Sequence, residues 1–352
     1  MRPNGSQANE APAGRQSRVT SMARWLSRRR GVAAAPAPKV SVVIPVYNAE
    51  STLKECLARL HESRYHDFET ILVDDGCTDQ SPAIAAEFPV RIVPTSGRVG
   101  PGEVLFFIDS DVMVRADSLS LLAESFEAGD VDGLCGVQAA QMRYTNIASQ
   151  YKNLWMRWTY LRQTGDVPLF YTTAAAIRRE AFLRVGGFDQ GYATPNVEDT
   201  AFGQKLARLG VRVRVHPELE VEHVKQYSLW SMLRTDFMRA VSLTRLKLRH
   251  PGDLAQNNTS VPSSYMASVP LSGVTLFFLL LGLAIGLPGM TAIGAAGAAA
   301  VMGLNWEFLT AIRRSDGWIR MLAAIPVLWL ELLVVGTGTA VGLVSYPFGR
   351  RY

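Results

Sequence analysis

The sequence contains little cysteine. Its three cysteines, Cys56, Cys77 and Cys135, are odd in number and lie far apart in a chain of 352 residues. Disulfide frameworks and zinc sites need paired or clustered cysteines, so this spacing argues against both. Free, scattered cysteines are typical of a reducing compartment.

Two kinds of glycine-rich loop are also missing. Where such a loop would follow the first predicted strand, the chain reads Pro45, Val46, Tyr47 and Asn48. The lack of a Gly-Xaa-Gly-Xaa-Xaa-Gly turn argues against a dinucleotide-dependent dehydrogenase. The lack of a Gly-rich basic loop argues against a nucleotidyltransferase.

The first 38 residues lack an apolar run of signal-peptide length, so secretion is not expected. They are rich in Ala, Pro, Ser, Gly and Arg without apolar periodicity, which predicts a disordered basic tail over 1–38. Segment 22–30 either touches an anionic membrane surface or is simply solvated. The net charge of +5 is modest, and arginines beside apolar segments favour a membrane face over nucleic acid.

Strands and helices alternate from Lys39 onward. The hydrophobic pattern predicts strands at 40–46, 68–73, 90–93, 103–108, 134–140 and 211–215, and helices at 50–63, 81–87, 117–128 and 144–160. Another helix is predicted to follow the N-cap Asn196 and to end at Gly210. The alternation predicts an α/β fold over 39–226, with a doubly wound, mostly parallel sheet and flanking helices.

The last quarter of the chain is apolar and follows a basic segment. Residues 227–262 are predicted to form a basic amphipathic juxtamembrane helix and a linker, and 263–352 a membrane segment with transmembrane helices. About three spans are expected, at 269–287, 290–304 and 321–346, the second rich in the Ala and Gly that allow close helix packing.

The flanking arginines give two conflicting indications of the orientation of these spans. Arg313, Arg314 and Arg320 mark the connection before the last span as cytoplasmic, which puts the predicted α/β domain in the cytoplasm. Arg350 and Arg351 would then lie outside, against the same rule. The expected location is therefore a multi-pass cytoplasmic (inner) membrane protein, or one in which a span is interfacial.

Asp109, Ser110 and Asp111 directly follow the apolar run 104–108. Alternate residues of an extended segment point to the same side, so both carboxylates can aim at one point. Two hard oxygen donors at the carboxyl end of a buried strand suit Mg²⁺ or Mn²⁺ carrying a diphosphate. The alternative is a pair of ordinary turn aspartates.

Two further acidic pairs lie at similar positions. Asp74 and Asp75 follow the second predicted strand, and Glu198 and Asp199 open a helix. Each pair alone has a structural explanation, because Asp-Asp-Gly is a common turn and acidic residues complement a helix N-terminus.

Together these segments resemble the family 2 glycosyltransferases, which are inverting enzymes of the GT-A fold. The matching segments, in family order, are 40–48, 73–79, 107–111, 176–179 with 186–189, and 198–199. The resemblance covers about residues 39–225. It is specific as an ordered set, although no single segment is, and similarity to membrane-anchored members extends through the C-terminal spans.

The resemblance implies roles for the donor side of the site. Asp74 or Asp75 would bind the base of a nucleotide-sugar, next to the loop that contains Pro45, Tyr47 and Asn48. Asp109 and Asp111 would hold the ribose and the metal on the diphosphate. His223 matches a position where some members carry a histidine near the metal, and is otherwise a structural or solvent-facing residue.

The acceptor side is implied in the same way. Asp199 would be the general base that deprotonates the acceptor hydroxyl, with Glu198 beside it. The turn at Gly186 and Gly187 would leave room for the acceptor.

Two departures from the family pattern bear on activity. The chain lacks the Gln-Xaa-Xaa-Arg-Trp motif of processive members, which favours the addition of one sugar over polymer synthesis. Only 95–102 joins the third and fourth strands, where most relatives have a helix with an Ala-Arg-Asn-type motif. In the family's sheet order this link crosses two strands, roughly 14 Å, and eight fully extended residues reach about 27 Å. The link is therefore long enough only without a helix. Because the helix is missing, one flank of the donor pocket is expected to be open.

The sequence therefore predicts a metal-dependent inverting glycosyltransferase. It would move one sugar from a UDP- or GDP-sugar to a lipid-linked or polysaccharide (cell-envelope) acceptor, using Mg or Mn, without a nucleic-acid partner. The alternative is a weak or inactive relative that binds nucleotide-sugar without turnover, because of the short link at 95–102.

Overall fold

The computed structural model describes residues 39–95, 100–189, 197–249 and 259–348. The predicted tail at 1–38, the predicted N-cap Asn196 and the arginine pair Arg350 and Arg351 lie outside these ranges. The described residues all belong to one compact unit.

One sheet of eight strands forms the centre of the fold, in the order β3-β2-β1-β4-β7-β6-β8-β5. Its strands are β1 Val40–Val46, β2 Phe68–Asp74, β3 Val90–Pro94, β4 Val104–Ile108, β5 Val112–Val114, β6 Gly133–Gln138, β7 Ala174–Arg178 and β8 Val213–His223. Four strand pairs are parallel and three are antiparallel. The predicted α/β architecture with a mostly parallel sheet is confirmed.

Ten helices accompany the sheet in the described part of the chain. They are α1 Leu53–His61, α2 Ser81–Ala85, α3 Ser118–Glu127, α4 Ile147–Leu161, α5 Arg179–Arg184, α6 Glu198–Arg208, α7 Leu229–Arg249, α8 Ser263–Ile285, α9 Pro288–Leu304 and α10 Trp306–Ser345. Each helix predicted from the pattern is present. The strands β5 and β7 and the helix α5 were not predicted.

The central strands are apolar on both sides because helices cover both faces of the sheet. Val42 and Phe106 face a core shared with α1 and α3. Val43 and Leu105 face the opposite core, which contains α4 to α6 and continues into the C-terminal helices, with Phe308 among its members. The alternation along each strand therefore divides the protein into two layers, one of which includes the apolar C-terminal region.

The short link between β3 and β4 crosses β2 and β1, as the predicted strand order requires. Its described residues, Thr95 and 100–102, contain no helix. The link closes tightly on β1, where Ser41 Oγ accepts a hydrogen bond from the Gly102 N–H at 3.0 Å. A Cβ at Gly100 would lie 2.2 Å from Ser41 Oγ, so this position requires glycine.

Two C-terminal helices, α8 and α10, are long and apolar enough to cross a bilayer, and α9 is apolar but shorter. Small residues bring these helices together: a Cβ at Gly294 would lie 2.8 Å from the Leu279 backbone nitrogen, and one at Gly338 would lie 2.7 Å from the Phe237 carbonyl oxygen. Gly317, at φ 84°, interrupts α10, and 318–345 is still longer than the roughly 20 residues that a hydrocarbon core needs.

Exposed apolar side chains cover the outside of this helical region. Among the largest exposed fractions are those of Phe277 at 58%, Leu283 at 69%, Ile319 at 84% and Val344 at 72%. Such a continuous apolar surface fits a lipid-facing segment.

A buried polar cluster joins the C-terminal region to the sheet-packed helix α4. Tyr151 Oη donates a hydrogen bond of 2.6 Å to Glu331, which is 2% exposed. Lys152 forms a buried ion pair with Asp236 of α7, and its Nζ lies 3.9 Å from Glu331 Oε1. As expected for an ionisable group in an apolar helix, Glu331 faces protein.

Replacing Lys152 with methionine is expected to destabilise the protein by about 3–5 kcal/mol, because two buried carboxylates lose their counter-charge. The midpoint of thermal unfolding in detergent should fall clearly. Lys54→Met is the control, since Lys54 pairs with Glu87 at 2.8 Å on the exposed surface, where ion pairs contribute little. An equal, small change in both variants would contradict the expected role of the buried cluster.

Candidate active site

The predicted acidic residues follow neighbouring strands at one edge of the sheet. Parallel strands β2, β1 and β4 are adjacent, so their carboxyl ends meet at the same edge. Asp74 is the last residue of β2, and Asp109 directly follows β4. Ligands of open α/β sheets bind at this edge.

Asp109, Asp111 and His223 form one group of side chains, with a ligand atom from each lying within 4.8 Å of the others. The antiparallel pairing of β5 with β8 creates the group, since Val112 pairs with His223. His223 Nε2 lies 3.2 Å from Asp111 Oδ1, and Thr173 Oγ1 donates a hydrogen bond of 2.9 Å to Asp109 Oδ2.

The two carboxyl groups differ in their electrostatics. Burial raises the pKa of Asp109. Burial also opposes ionisation of Asp111, but the hydrogen bond and charge of His223 and the charge of Lys225 outweigh it and lower the pKa of Asp111. The Asp111 carboxyl group therefore stays ionised to a lower pH than an ordinary aspartate.

This donor set fits a divalent cation. Carboxylate oxygens suit Mg²⁺ and Mn²⁺, and an imidazole nitrogen can complete the set. The amide nitrogen Nε2 of Gln138 lies 3.3 Å from His223 Nδ1. With the amide turned by 180°, its oxygen would accept the Nδ1 proton and leave His223 Nε2 to a cation, which is the usual arrangement of a metal-binding histidine.

Two members of this group and the predicted base line one cavity of about 220 Å³. Asp109 and His223 belong to its lining, as do Glu198 and Asp199 at the start of α6. Residues in the lining that were not predicted include Gln138, Lys152, Tyr171, Thr173, Lys225 and Arg239.

Asp199 is 8% exposed, and burial raises its pKa to about 6, against the opposing charge of Arg239. The Thr200 N–H donates a hydrogen bond of 2.6 Å to Asp199 Oδ1. Close packing fixes the helix that carries it: a Cβ at Gly203 would lie 2.7 Å from the Phe170 backbone nitrogen. A buried carboxylate with a pKa near neutrality has the properties of a general base.

The predicted nucleotide-side residues lie outside that cavity lining, at the carboxyl ends of β1 and β2. Asp74 Oδ1 accepts hydrogen bonds from the Gly76 and Cys77 N–H groups, and Asp75 Oδ1 accepts one of 2.7 Å from Thr95 Oγ1. Asn48, at φ 50°, accepts a 2.8 Å bond from the Thr78 N–H.

Pro45 and Tyr47 complete this surface beside β1, both exposed, with Tyr47 at 65%. An exposed aromatic ring beside oxygen acceptors is suited to stacking with a base. The donor-binding assignment of these five residues stays a prediction.

Gly186 and Gly187 end α5 in left-handed conformations, at φ 79° and 68°. The Gly187 N–H donates to the Phe182 carbonyl, as in a helix C-cap. Their predicted acceptor-side role stays a prediction, beside this local role in turning the chain.

No local signal in the sequence pointed to Thr173 or Arg239. Thr173 precedes the alanine-rich strand β7, and Arg239 lies within α7, whose arginines were interpreted as a basic membrane-facing surface. Both reach the site only through long-range packing.

The fold is similar to that of solved glycosyltransferase structures. A mannosyltransferase of Pyrobaculum calidifontis, PcManGT, solved in complex with GDP-Man and Mn²⁺, superposes with a TM-score of 0.50 at 18% identity. The match covers 94% of this chain and 93% of that chain. At this identity the likeness shows the fold alone, and it confirms the predicted GT-A architecture.

Sequence comparison gives relatives in part of the chain. Glycosyltransferase GlyG of Streptococcus pneumoniae is 31% identical over 114 residues, 28% of this chain and 38% of GlyG. The uncharacterised glycosyltransferase EpsJ of Bacillus subtilis is 29% identical over 111 residues, 27% of this chain and 32% of EpsJ. The chain thus spans about a third of the length of these relatives.

The profile described as Glycosyl transferase family 2 matches residues 41–186, which include β1 to β7 and the pair Asp109 and Asp111. The profile, the relatives and the fold agree with the resemblance found in the motifs. Residues 41–186 of the chain therefore match the family 2 glycosyltransferases, on which the resemblance in the motifs and the fold also agree.

Proposed function

We propose that this protein transfers one sugar from a nucleotide-sugar to an acceptor hydroxyl, with a divalent cation, Mg or Mn, and with inversion at the anomeric carbon. One observation carries the proposal: Asp109 and His223 of the acidic group and the separate buried carboxylate of Asp199 line the same cavity. A cation site and a base facing one space are what such a transfer requires.

In the proposed reaction one bond forms and one bond breaks at the anomeric carbon of the sugar. The acceptor oxygen forms a bond to the anomeric carbon, and its proton moves to the Asp199 carboxylate. The bond between the anomeric carbon and the diphosphate oxygen breaks, and the electron pair leaves with the nucleoside diphosphate. A cation held by Asp109, Asp111 and His223 supplies charge stabilisation for the departing diphosphate.

The donor is a nucleotide-sugar, UDP- or GDP-linked. Its base would lie at Pro45, Tyr47 and Asn48 with Asp74 or Asp75, and its ribose near Asp109. The position of these residues at the carboxyl ends of adjacent strands supports this assignment, as does the GDP-Man bound to the Pyrobaculum enzyme of the same fold.

The acceptor is lipid-linked or part of the cell envelope, and the protein is anchored by several passes through the membrane with its catalytic part in the cytoplasm. The two long apolar helices and the shorter one between them support the membrane location. Glu198, Gly186 and Gly187 would border the acceptor.

The test is a donor screen on the purified full chain in detergent with Mn²⁺, in which mass spectrometry measures release of nucleoside diphosphate. Turnover of a UDP- or GDP-sugar is the expected result. Saturable nucleotide-sugar binding without turnover for any donor and acceptor would instead favour the inactive relative that the short link at 95–102 suggests.

The rate of transfer is expected to depend on pH through Asp199. Burial raises its pKa to about 6, and only the carboxylate can accept the proton. We expect kcat/KM to rise about tenfold per pH unit below pH 6 and to level off above it. A pH profile between 4.5 and 8 checks this, with saturating Mn²⁺ at each pH. A flat acidic limb in the native protein would contradict the assignment of the base.

A further inference from the structure

A second cavity, of about 550 Å³, lies between α7, α8 and α10. Its lining is mostly apolar and includes Leu243, Tyr265, Val269, Val335 and Leu343. Its volume is within the roughly 300–1,000 Å³ typical of ligand pockets. Because α8 and α10 are the two helices long enough to cross a bilayer, this cavity belongs to the membrane-facing part of the protein.

The two cavities have one lining residue in common, Arg239 of α7. Its guanidinium makes no hydrogen bond and no ion pair with any residue in the described ranges, although its charge interacts with that of Asp199. A guanidinium that lines both a polar and an apolar cavity has the charge and the donors to bind an anion.

The other charged groups of the apolar cavity include two carboxylates, and the charge of Asp236 also interacts with that of Arg239. Asp236 and Glu331 are held by Lys152, and Glu331 also by Tyr151. Lys247 adds a second cation on the same helix face, where its Nζ contacts the Met266 sulfur at 3.8 Å. Three cations, Lys152, Arg239 and Lys247, therefore outnumber the two carboxylates around this cavity.

We propose that the acceptor is an anionic phospholipid with a hydroxyl in its head group. Its hydrocarbon chain lies between α7, α8 and α10, its phosphate binds Arg239, and its hydroxyl faces Asp199. This inference rests on the proposed glycosyl transfer and names the acceptor of that same site.

The combination of a base and an anion-binding residue selects this lipid class. Asp199 as a base calls for an acceptor that has a proton to lose, which a fully ionised phosphate nucleophile does not need. Arg239 would bind an anion on the same head group. The apolar cavity, which Arg239 also lines, would bind a hydrocarbon chain.

The first experiment supplies labelled UDP- and GDP-sugars with Mn²⁺ to the full chain in phosphatidylcholine vesicles that contain either phosphatidylglycerol or diacylglycerol. Phosphatidylglycerol has the hydroxyl and the anion, whereas diacylglycerol has only the hydroxyl. We expect phosphatidylglycerol to be labelled at least about tenfold more, the scale of one charge-assisted hydrogen bond. Equal labelling of both lipids, or labelling only of a prenyl phosphate or a soluble saccharide, would overturn the proposal.

Variants of Arg239 test the anion contact. Arg239→Gln should lower the labelling of phosphatidylglycerol about tenfold or more and bring its ratio to diacylglycerol labelling towards one, while Arg239→Lys should restore part of that ratio. Native mass spectrometry without donor should show weaker phosphatidylglycerol retention by the Gln variant. Unchanged ratio and retention in a folded Gln variant would overturn the assignment of Arg239.

The apolar cavity has a matched pair of variants on α10. Val335→Phe fills the cavity and is expected to reduce lipid labelling about tenfold. Val341→Phe is the control, because Val341 is 41% exposed and does not line the cavity. Equal labelling in both variants would overturn the placement of the chain.

Donor hydrolysis to free sugar, measured in the same samples, separates the two proposals. Hydrolysis of a nucleotide-sugar without labelling of phosphatidylglycerol overturns the lipid inference alone. A complete absence of donor cleavage, with every acceptor supplied, overturns the glycosyl transfer on which it rests.

Discussion

Replacing Asp111 with alanine is expected to reduce nucleotide-sugar turnover roughly 10³-fold or more. His223 Nε2 lies 3.2 Å from Asp111 Oδ1 and lowers the pKa of Asp111. Asp111 is therefore the carboxylate of the proposed cation site that ionises most readily. Loss of a bound cation removes several kcal/mol of stabilisation from the departing diphosphate, and about 4 kcal/mol corresponds to 10³-fold in rate.

The measurement pairs kinetics with cation binding. Calorimetry should show that the alanine variant loses Mn²⁺ affinity in the presence of the nucleoside diphosphate, while its thermal unfolding without metal stays close to that of the native protein. Asp67→Ala is the control, because Asp67 is exposed and precedes β2 away from the acidic group. Undiminished turnover in the Asp111 variant would exclude the proposed cation site.

Asp199→Asn is the second variant with a large expected effect, a loss of about 10²–10⁴ in kcat. Asparagine keeps the shape of the side chain and can still accept the Thr200 N–H, but it cannot take up a proton. Donor and cation binding should be nearly unchanged, since Asp109 and His223 are untouched. The acidic limb of the pH profile, centred on the pKa of about 6, should disappear.

The control for this variant is Asp130→Asn, an exposed carboxylate that pairs with Arg214 and does not line the cavity. Its kcat should match that of the native protein. An Asp199→Asn variant with native kcat would show that the acceptor arrives already deprotonated, and the base would have to be abandoned.

Much of the fold could be predicted because local signals agree with the tertiary structure. The apolar runs of β1 and β4 are buried on both faces, and their alternating residues enter two separate cores. The acidic pair Asp109 and Asp111 could be placed at a strand end because the run before it ends abruptly in polar residues.

Other elements depend on partners far away in the chain. β7, with the sequence Ala-Ala-Ala-Ile-Arg, has little intrinsic strand preference and is a strand because β4 and β6 pair with it on both sides. The three-residue strand β5 gains its identity from pairing with β8, and that pairing alone brings His223 to Asp111.

Arg239 shows the limit of composition as a guide. The helix α7 has arginine at several positions. Arg239 lines two cavities, whereas Arg234 is exposed and Arg245 bonds to Ser345 of α10. Only the packing of α7 against α10, through the close approach at Gly338, determines which arginine lines both cavities.

The contact of Tyr151 with both Phe308 and Glu331 has a practical consequence for dissecting the protein. Deleting the C-terminal helices would remove the ring contacts of Phe308 with Tyr151 and Trp155. It would also remove Glu331, one of the two carboxylates near the Lys152 ammonium. A truncated, detergent-free catalytic fragment should therefore aggregate, and biochemical work should keep the whole chain in micelles or nanodiscs. The sheet and the C-terminal helices share one apolar core, so we expect them to fold and unfold together.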